Sequence, residues 1–192
     1  MVNRLCAVVL LIALLPLFLI ISIAIRLDSS GPVIFKQRRV GQYQKYFTIY
    51  KFRTMVVGMP DLPAAMVKED DHRFTRVGKF LRRFSLDELP QLFNIIKGEM
   101  DFVGPRPALY NQDDLIALRE SAGIHALKPG VTGWAQVNGR ETVSVEEKVR
   151  LDEYYLNNRS LLLNLKIIFL TLFNSSQGKD LYKNNVQNNI SD

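Results

Sequence analysis

An adjacent acidic pair, Asp87 and Glu88, stands where the sequence predicts the start of a helix. Ser85 and Glu88 have the spacing of a capping box, in which a serine and the glutamate three residues later satisfy free amides at a helix start. The pair then falls in the first turn, where unpaired N–H groups and the helix dipole favour negative charge. A carboxylate there is expected to stay ionised and nucleophilic, although acidic residues in first turns also serve for capping alone.

Cations surround this acidic pair in the sequence. Arg106 follows it and lies between Pro105 and Pro107, which restrict the backbone beside the guanidinium. A guanidinium in a fixed geometry suits bidentate contact with phosphate. The pattern indicates a reaction centre in which a carboxylate nucleophile meets a phosphorylated substrate. Four more cations precede the pair: Arg76, Lys79, Arg82 and Arg83.

The distribution of charge indicates anionic partners. The net charge is +6, and residues 26–110 hold 15 Lys and Arg against 9 Asp and Glu. Such a surface suits lipid headgroups or a phosphorylated substrate, and no nucleic-acid module accompanies it. The sequence also lacks P-loop and Rossmann glycine motifs and a nucleophile elbow. Because Cys6 is the single cysteine and His72 and His125 stand apart, neither a disulfide nor a zinc site is expected.

An apolar run near the N-terminus predicts a membrane segment. Residues 5–25 are apolar except for Ser22, and as one helix they would span about 30 Å, the thickness of the bilayer hydrocarbon. This run is longer than the apolar part of a signal peptide. Pro16 removes an intrahelical hydrogen bond near the middle and bends the helix. A re-entrant segment and a kinked spanning anchor both fit, and the basic flanks at Arg4 and Arg26 favour the first.

The elements that must position the acidic pair follow this run. Residues 33–35 and 46–50 are β-prone around Gly41 and predict a strand pair. Residues 75–84 predict an amphipathic helix with an apolar face formed by Val77, Phe80, Leu81 and Phe84. The helix bearing the acidic pair is expected to continue to about Ile96. The predicted apolar stripe of that second helix comprises Leu89, Leu92, Phe93 and Ile96.

The C-terminal half adds a glycine-rich stretch and further helices. Residues 128–140 predict a tight loop and a short strand lining a site, because glycine lets the backbone approach a ligand closely. The segment Leu161–Phe173 is too short to span a bilayer, so it lies in the membrane interface or packs against the core. The remaining predictions are an irregular loop over residues 59–71, helices over 112–121 and 146–157, and a polar, disordered tail from Asn174.

Four motifs stand in the order found in bacterial sugar transferases: residues 51–55, 85–91, 104–107 and 129–140. From the apolar run to about Phe173 the chain resembles the monotopic phosphoglycosyl transferases, in their small, minimal catalytic form. Two departures are visible. Many relatives have serine before the membrane proline where this chain has Leu15, and an acidic residue near the start of the segment where it has Ala7.

The resemblance implies a fold and a location. The fold is a mainly helical α+β structure associated with the bacterial inner membrane. A re-entrant helix over residues 1–26 is broken at Pro16, and a small β-hairpin and amphipathic helices at the membrane interface follow. Residues 27–173 form the catalytic domain on the cytoplasmic face, and residues 174–192 form the tail. Membrane lipid is a partner, nucleic acid is not, and a homodimer is plausible.

The resemblance also implies an activity. Such enzymes transfer a sugar phosphate from a UDP-sugar to undecaprenyl phosphate and release UMP, the first membrane step in building O-antigen, capsule or glycoprotein glycans. They need Mg²⁺. The donor sugar is expected to be N-acetylated, with a 6-deoxyhexosamine as the first candidate, although no residue here identifies the sugar.

Roles for individual residues follow from the same resemblance. Asp87 attacks the sugar-proximal phosphorus to form a phosphosugar intermediate, and Glu88 serves as base or in positioning the metal; both are candidate Mg²⁺ ligands. Arg82 and Arg106 are expected to contact phosphates, and Arg140 to hold the nucleotide. Lys51 and Arg53 bind substrate or face lipid headgroups. Two further substrate-binding candidates are Gln136 and Asn138.

Two rival functions belong to different classes. A membrane adaptor that binds anionic lipid would not need Asp87. A metal-dependent phosphohydrolase would use the same carboxylates on water and would release UMP without a lipid phosphate. The ordered motifs favour the transferase over both.

Overall fold

The computed structural model describes residues 2–58, 73–139 and 143–176. Within these ranges the predicted mainly helical α+β fold is confirmed. The helices are α1 (Val2–Ala13), α2 (Leu15–Asp28), α3 (Arg76–Arg83), α4 (Leu92–Lys97), α5 (Asp113–Ser121), α6 (Trp134–Asn138), α7 (Val145–Asn158) and α8 (Leu161–Ser176). The strands are β1 (Ile34–Val40), β2 (Tyr46–Phe52), β3 (Asp101–Val103) and β4 (Gly130–Thr132). Residues 174–176, predicted as the start of the tail, instead belong to α8. The loop predicted over 59–71, His72, Arg140 and the tail beyond residue 176 lie outside the described residues.

The apolar N-terminal segment forms two helices. α1 and α2 meet at an angle of 63°, and Leu14 between them has φ −92° and ψ 0°. Pro16 lies in the first turn of α2, where its missing N–H removes no bond within that helix. The bend predicted at Pro16 is confirmed, and α2 continues to Asp28. No single helix among the described residues is long and apolar enough to cross a bilayer, whereas the bent pair together has the required length and composition.

Both halves of the bent pair pack against the rest of the chain. In α1, Ala7 is fully buried in a cluster with Ile49 and Ile95. In α2, Ile25 is buried against Phe52. The opposite, outer face is a large exposed apolar surface, the kind that marks contact with another apolar phase or molecule. It comprises Leu5, Val8, Val9, Ile12, Leu15, Leu19, Ile20, Ile23 and Leu27.

Strands β1 and β2 form the predicted antiparallel hairpin, in a register that places Lys51 opposite Phe35. The other edge of β2 is covered by a side chain. Asn94, fully buried in α4, accepts a hydrogen bond from the Tyr50 N–H at 3.2 Å and donates one to the Thr48 carbonyl at 2.7 Å. Asn94 therefore takes the place of a third strand and joins α4 to the hairpin.

The acidic pair lies in a 3₁₀ helix, Leu86–Gln91, that leads directly into α4. The predicted capping box is wrong: Ser85 has a left-handed backbone with φ 56°, and its side chain makes no capping hydrogen bond. A capping serine needs an extended backbone to turn its hydroxyl towards the following amides. Pro90 lies inside this segment and has no N–H, so an α-helix here would lack its bond to the Leu86 carbonyl.

The helices on either side of this segment bury fewer of the predicted apolar side chains than expected. α3 confirms the helix predicted over residues 75–84 and buries Leu81, but Phe80 is exposed. α4 begins only at Leu92, which changes the face that it buries. As a result Ile95 is fully buried, while Phe93 of the predicted stripe is exposed.

A second, parallel pair joins β3 to β4, with Asp101 opposite Gly130. The strands approach so closely that a Cβ on Gly130 would lie 2.1 Å from the Gly104 nitrogen. The short strand predicted in the glycine-rich stretch is confirmed as β4, and the part predicted as loop contains the short helix α6. The helices predicted over residues 112–121 and 146–157 are confirmed as α5 and α7.

Helix α8 has one buried face and one exposed face. Ile167 is fully buried in a cluster with Val103 and Tyr155. Of the two positions left open for this segment, packing against the core is therefore confirmed for one face, and the other face is available to a membrane surface. The exposed side chains are Leu161, Leu162, Leu165, Phe169, Leu172 and Phe173.

Candidate active site

Glu88 joins three separate parts of the chain at one carboxylate oxygen. Its Oε1 accepts a hydrogen bond from Lys51 Nζ at 2.7 Å and from Arg106 Nη2 at 3.1 Å. Lys51 belongs to β2, and Arg106 follows β3. The side chains of Lys51 and Glu88 are only 14% and 15% exposed, so water screens this interaction weakly.

The environment of Glu88 favours its ionised form. Burial by itself would raise the pKa of the carboxyl group, but Lys51 and Arg106 act against it through their charges and the hydrogen bonds they donate. Together they lower the pKa of Glu88 to about 2. Glu88 is therefore charged across the physiological range and keeps two cations in place.

Asp87, directly beside it, has the opposite character. Burial raises the pKa of Asp87 and outweighs the opposing charge of Lys51, and the Glu88 charge adds to the rise. The environment of Asp87 therefore opposes its ionisation, whereas the cations beside Glu88 favour the ionised form of that group. Within the described ranges no side chain or amide donates a hydrogen bond to the Asp87 carboxylate. A desolvated carboxylate without such a partner suits a nucleophile.

Arg82 approaches the acidic pair from the last turn of α3. Its guanidinium lies 5.0 Å from the centre of the Phe74 ring, and its charge lowers the pKa of Asp87. Lys51, Arg82 and Arg106 therefore come from three different elements and surround the carboxylates with positive charge. Such an arrangement can neutralise a diphosphate while a carboxylate attacks phosphorus.

Arg53, another predicted substrate-binding residue, is occupied elsewhere. Its guanidinium donates to the carbonyls of Ser29 at 2.7 Å and Ser30 at 2.5 Å. The residue is only 5% exposed. In this structure Arg53 joins the end of α2 to the loop that follows β2, away from solvent.

The predicted residues of the glycine-rich stretch also have local partners. The Gln136 side-chain amide donates to the Val131 carbonyl at 3.4 Å, and the Asn138 amide to the Trp134 carbonyl at 2.8 Å. Arg140 lies outside the described residues. The structure therefore does not bring Gln136 or Asn138 to the acidic pair by any hydrogen bond.

The residues that hold the Arg106 backbone were not predicted from the sequence. Arg119 Nη1 donates to the Arg106 carbonyl at 2.8 Å, and Arg119 Nε donates to Asp152 at 3.0 Å. Arg39 Nη1 donates to the Pro107 carbonyl at 3.0 Å. No local pattern marks these residues, since Arg119 is 13 and Arg39 68 positions from its acceptor.

Asp87 and Glu88, the two predicted Mg²⁺ ligands, are adjacent in the 3₁₀ helix. No group of three or more His, Cys, Asp or Glu side chains arranged for a metal occurs in the described part of the chain. Mg²⁺ is commonly held by one or two carboxylates together with substrate phosphates. Two adjacent carboxylates, of which Asp87 has no hydrogen-bonded partner among the described residues, fit that kind of shared site.

Comparison with known proteins identifies the family to which the chain is similar. The family model described as bacterial sugar transferase matches residues 1–178. The undecaprenyl-phosphate glucose phosphotransferase of Komagataeibacter xylinus is 46% identical over 177 residues, which cover 86% of this chain and 33% of that protein. The uncharacterized sugar transferase EpsL of Bacillus subtilis is 43% identical over 169 residues, covering 88% of this chain and 82% of EpsL.

A third relative extends the pattern. The UDP-glucose:undecaprenyl-phosphate glucose-1-phosphate transferase of Escherichia coli is 40% identical over 183 residues, covering 92% of this chain and 39% of that protein. This chain thus spans well under half of the length of two of the three relatives. The match of the family model over residues 1–178 shows that the chain belongs to the bacterial sugar transferase family.

Proposed function

We propose that this chain transfers a sugar phosphate from a UDP-sugar to undecaprenyl phosphate and releases UMP. The observation that carries the proposal is the buried Asp87 carboxylate, which has no hydrogen-bond donor among the described residues and lies beside Lys51, Arg82 and Arg106. The names of the Komagataeibacter and Escherichia relatives, which specify undecaprenyl phosphate, support the choice of acceptor.

In the proposed first step, an Asp87 oxygen attacks the phosphorus that bears the sugar. A bond forms between that oxygen and phosphorus, the bond from phosphorus to the UMP oxygen breaks, and its electron pair leaves with UMP. In the second step, a phosphate oxygen of the lipid attacks the same phosphorus and the Asp87 carboxylate is regenerated. No other reactant is needed in either step.

Each cation has a part in this reaction. Arg106 and Arg82 bind phosphate oxygens and stabilise the negative charge that develops during transfer. Lys51 keeps Glu88 ionised and lowers the pKa of Asp87, which favours the nucleophilic form. Held by Asp87, Glu88 and the donor diphosphate, Mg²⁺ would supply further neutralisation of charge.

We propose that the bent pair α1–α2 enters and leaves the membrane on the same face. Both helices pack against the catalytic domain along their inner sides, as the burial of Ala7 and Ile25 indicates. The Asn3 amide donates to Asp101 at 2.9 Å, and Asp28 accepts from the Val77 N–H at 2.8 Å, so both ends of the pair contact that domain. A spanning anchor would carry one end away from it.

The proposed location is the bacterial inner membrane, with the catalytic domain on the cytoplasmic face where UDP-sugars are made. The outer faces of α1, α2 and α8 supply the apolar surface for lipid contact. The donor sugar is proposed to be N-acetylated, and UDP-glucose is the main competitor because two relatives carry that sugar in their names. A homodimer stays a prediction.

The test is intact mass spectrometry of purified protein with Mg²⁺ and a panel of UDP-sugars, without lipid. We expect a phosphosugar adduct on the wild type, its absence in Asp87→Asn, and its retention in Asp113→Asn, an exposed aspartate of α5. EDTA is expected to prevent formation of the adduct, and undecaprenyl phosphate to discharge it.

The alternatives give different results. UMP release that needs no lipid phosphate and yields free sugar phosphate would indicate a phosphohydrolase. Lipid-dependent UMP release by Asp87→Asn at the wild-type rate would contradict a nucleophilic role for Asp87. Absence of both adduct and UMP release with every donor would favour a lipid-binding adaptor.

A further inference from the structure

The segment that carries Arg106 is held by hydrogen bonds at four successive carbonyls. Pro105 and Pro107 have no N–H, so the carbonyls are the backbone groups through which other elements hold this segment. The bonds come from β4, α5 and β1, which fixes the segment from three directions. For the carbonyls of residues 105 to 108 in turn, the donors are Gly130 N–H (3.0 Å), Arg119 Nη1 (2.8 Å), Arg39 Nη1 (3.0 Å) and Val40 N–H (3.0 Å).

Arg119 is the donor aimed at the functional residue itself, and its own orientation is fixed. Its Nε and Nη2 both donate to Asp152 Oδ2, which leaves Nη1 directed at the Arg106 carbonyl. Arg119 is 8% exposed and Asp152 is 1% exposed. Because the guanidinium is planar, a buried carboxylate bound to its Nε and Nη2 side fixes the position of Nη1.

Stability alone is a weak reason for such a buried ion pair. The loss of hydration on burial offsets much of the attraction between the charges, and apolar pairs of similar volume are often equally stable. The bond to the Arg106 carbonyl gives a second reason. The Arg106 side chain is 36% exposed where it reaches Glu88, so its reach towards that carboxylate depends on where the backbone places residue 106.

We propose that Arg119, oriented by Asp152, is a positioning residue that sets the geometry of Arg106 for transfer of the sugar phosphate. This inference rests on the proposed function. Loss of the bond leaves the charge of Arg106 near the diphosphate but allows its backbone to shift. A displacement of about 1 Å can reduce turnover about 100-fold. We therefore expect removal of this bond to reduce kcat and to change the KM for the donor little.

The test uses the double variant Arg119→Met/Asp152→Leu, which removes both charges and leaves neither buried without its partner. We expect a melting temperature close to that of the wild type and a kcat reduced about 30- to 100-fold. Arg119→Lys keeps the charge opposite Asp152 but lacks the planar guanidinium that donates to Asp152 and to the Arg106 carbonyl at once. It is expected to give a similar loss of kcat. The matched control, Glu147→Gln/Arg150→Gln, removes an exposed ion pair of the same helix α7 and is expected to retain full activity.

Coupling to Arg106 separates positioning from a purely structural role. In an Arg106→Ala background the double variant is expected to cause less than about a threefold further loss, because the group it acts through is already absent. A full additional loss in that background, or wild-type kcat in the folded double variant, would overturn the inference.

A structural measurement keeps the two proposals distinguishable. Hydrogen exchange of residues 104–109 is expected to accelerate in the double variant and to be unchanged in the control, whatever the activity. Unchanged exchange there would also overturn the positioning role. Failure of the wild type to transfer sugar phosphate, with exchange accelerated as expected, would instead contradict the proposed function alone.

Discussion

Lys51 Nζ lies 2.7 Å from Glu88 Oε1 and ties strand β2 to the 3₁₀ helix that carries both carboxylates. Because Arg106 donates to the same oxygen, the charge of Glu88 is shared between two cations, whereas no described residue donates a hydrogen bond to Asp87. Two adjacent residues of the same chemical type therefore have different environments. Glu88 holds two cations, and Asp87 is the carboxylate to which we assign the proposed attack on the substrate.

Removal of the two charges one at a time is expected to change stability in opposite directions. Glu88→Gln leaves Lys51 and Arg106 without their counter-charge and is expected to lower the free energy of unfolding at pH 7 by about 3 kcal/mol. Asp87→Asn removes a buried charge whose pKa the fold raises, so it is expected to increase that free energy. Chemical denaturation of both variants tests this contrast, which equal destabilisation would contradict.

Stability is also expected to depend on pH through Glu88. Its pKa is about 2 in the folded protein against an ordinary value of 4.5. The ionised group therefore stabilises the fold fully above pH 4.5, and this contribution is lost as the pH falls towards 2. The difference in unfolding free energy between wild type and Glu88→Gln is expected to shrink over that interval. A difference that stays constant from pH 6 to pH 2 would show that Glu88 is not the titrating group.

The decrease of the transfer rate at low pH is expected to follow the protonation of Asp87; we call this part of the pH profile the acidic limb. Because Asp87, the proposed nucleophile, must be ionised and burial raises its pKa, turnover is expected to fall at a pH above the ordinary aspartate value of 3.8. Lys51 opposes this rise more than any other charge, so Lys51→Met is expected to move the limb to higher pH. Lys36→Met, an exposed lysine on β1, is the control. An acidic limb at the same pH in Lys51→Met as in the wild type would show that a group other than Asp87 causes it.

The close approach of β3 and β4 is expected to leave no room for a side chain at residue 130. A Cβ there would lie 2.1 Å from the Gly104 nitrogen and 2.4 Å from the Thr132 carbonyl oxygen. We expect Gly130→Ala to lower the free energy of unfolding by about 3 kcal/mol or more. We also expect it to reduce transfer, because the Gly130 N–H holds the Pro105 carbonyl.

The matched control for this substitution is Gly123→Ala. Gly123 has φ +71°, but no atom lies within 4 Å of the added Cβ. Only backbone strain is therefore expected, at about 1 kcal/mol. Similar unfolding free energies for Gly130→Ala and Gly123→Ala would contradict the role of close packing.

The bend at Pro16 is expected to decide the topology of the N-terminal segment. In a Cys6→Ser background, Val2→Cys and Tyr110→Cys are expected to react with a membrane-impermeant maleimide from the same face. Pro16→Leu restores an N–H that can bond to the Ile12 carbonyl and favours a straight helix. Labelling of Val2→Cys from that face is therefore expected to fall. Labelling of Val2→Cys from the opposite face with Pro16 present would show a spanning anchor.

Several features of the fold could be predicted from the sequence because neighbouring residues decide them. Pro16 cannot donate a hydrogen bond, so the break between α1 and α2 follows from one residue and its apolar surroundings. The β-prone runs on either side of Gly41 similarly predict the hairpin. The carboxylates and Arg106 were predicted from residue type, and the structure brings them together at Glu88.

Other features could be decided only by tertiary packing. The 3₁₀ form of the acidic segment depends on a left-handed Ser85, which capping preferences do not predict. The partners of Glu88 and Arg106 come from positions distant in the chain, and the opposite pKa directions of Asp87 and Glu88 depend on which group is buried and which oxygen meets a cation. Local preferences act over a few residues, whereas desolvation and long-range hydrogen bonds exist only once the elements have packed.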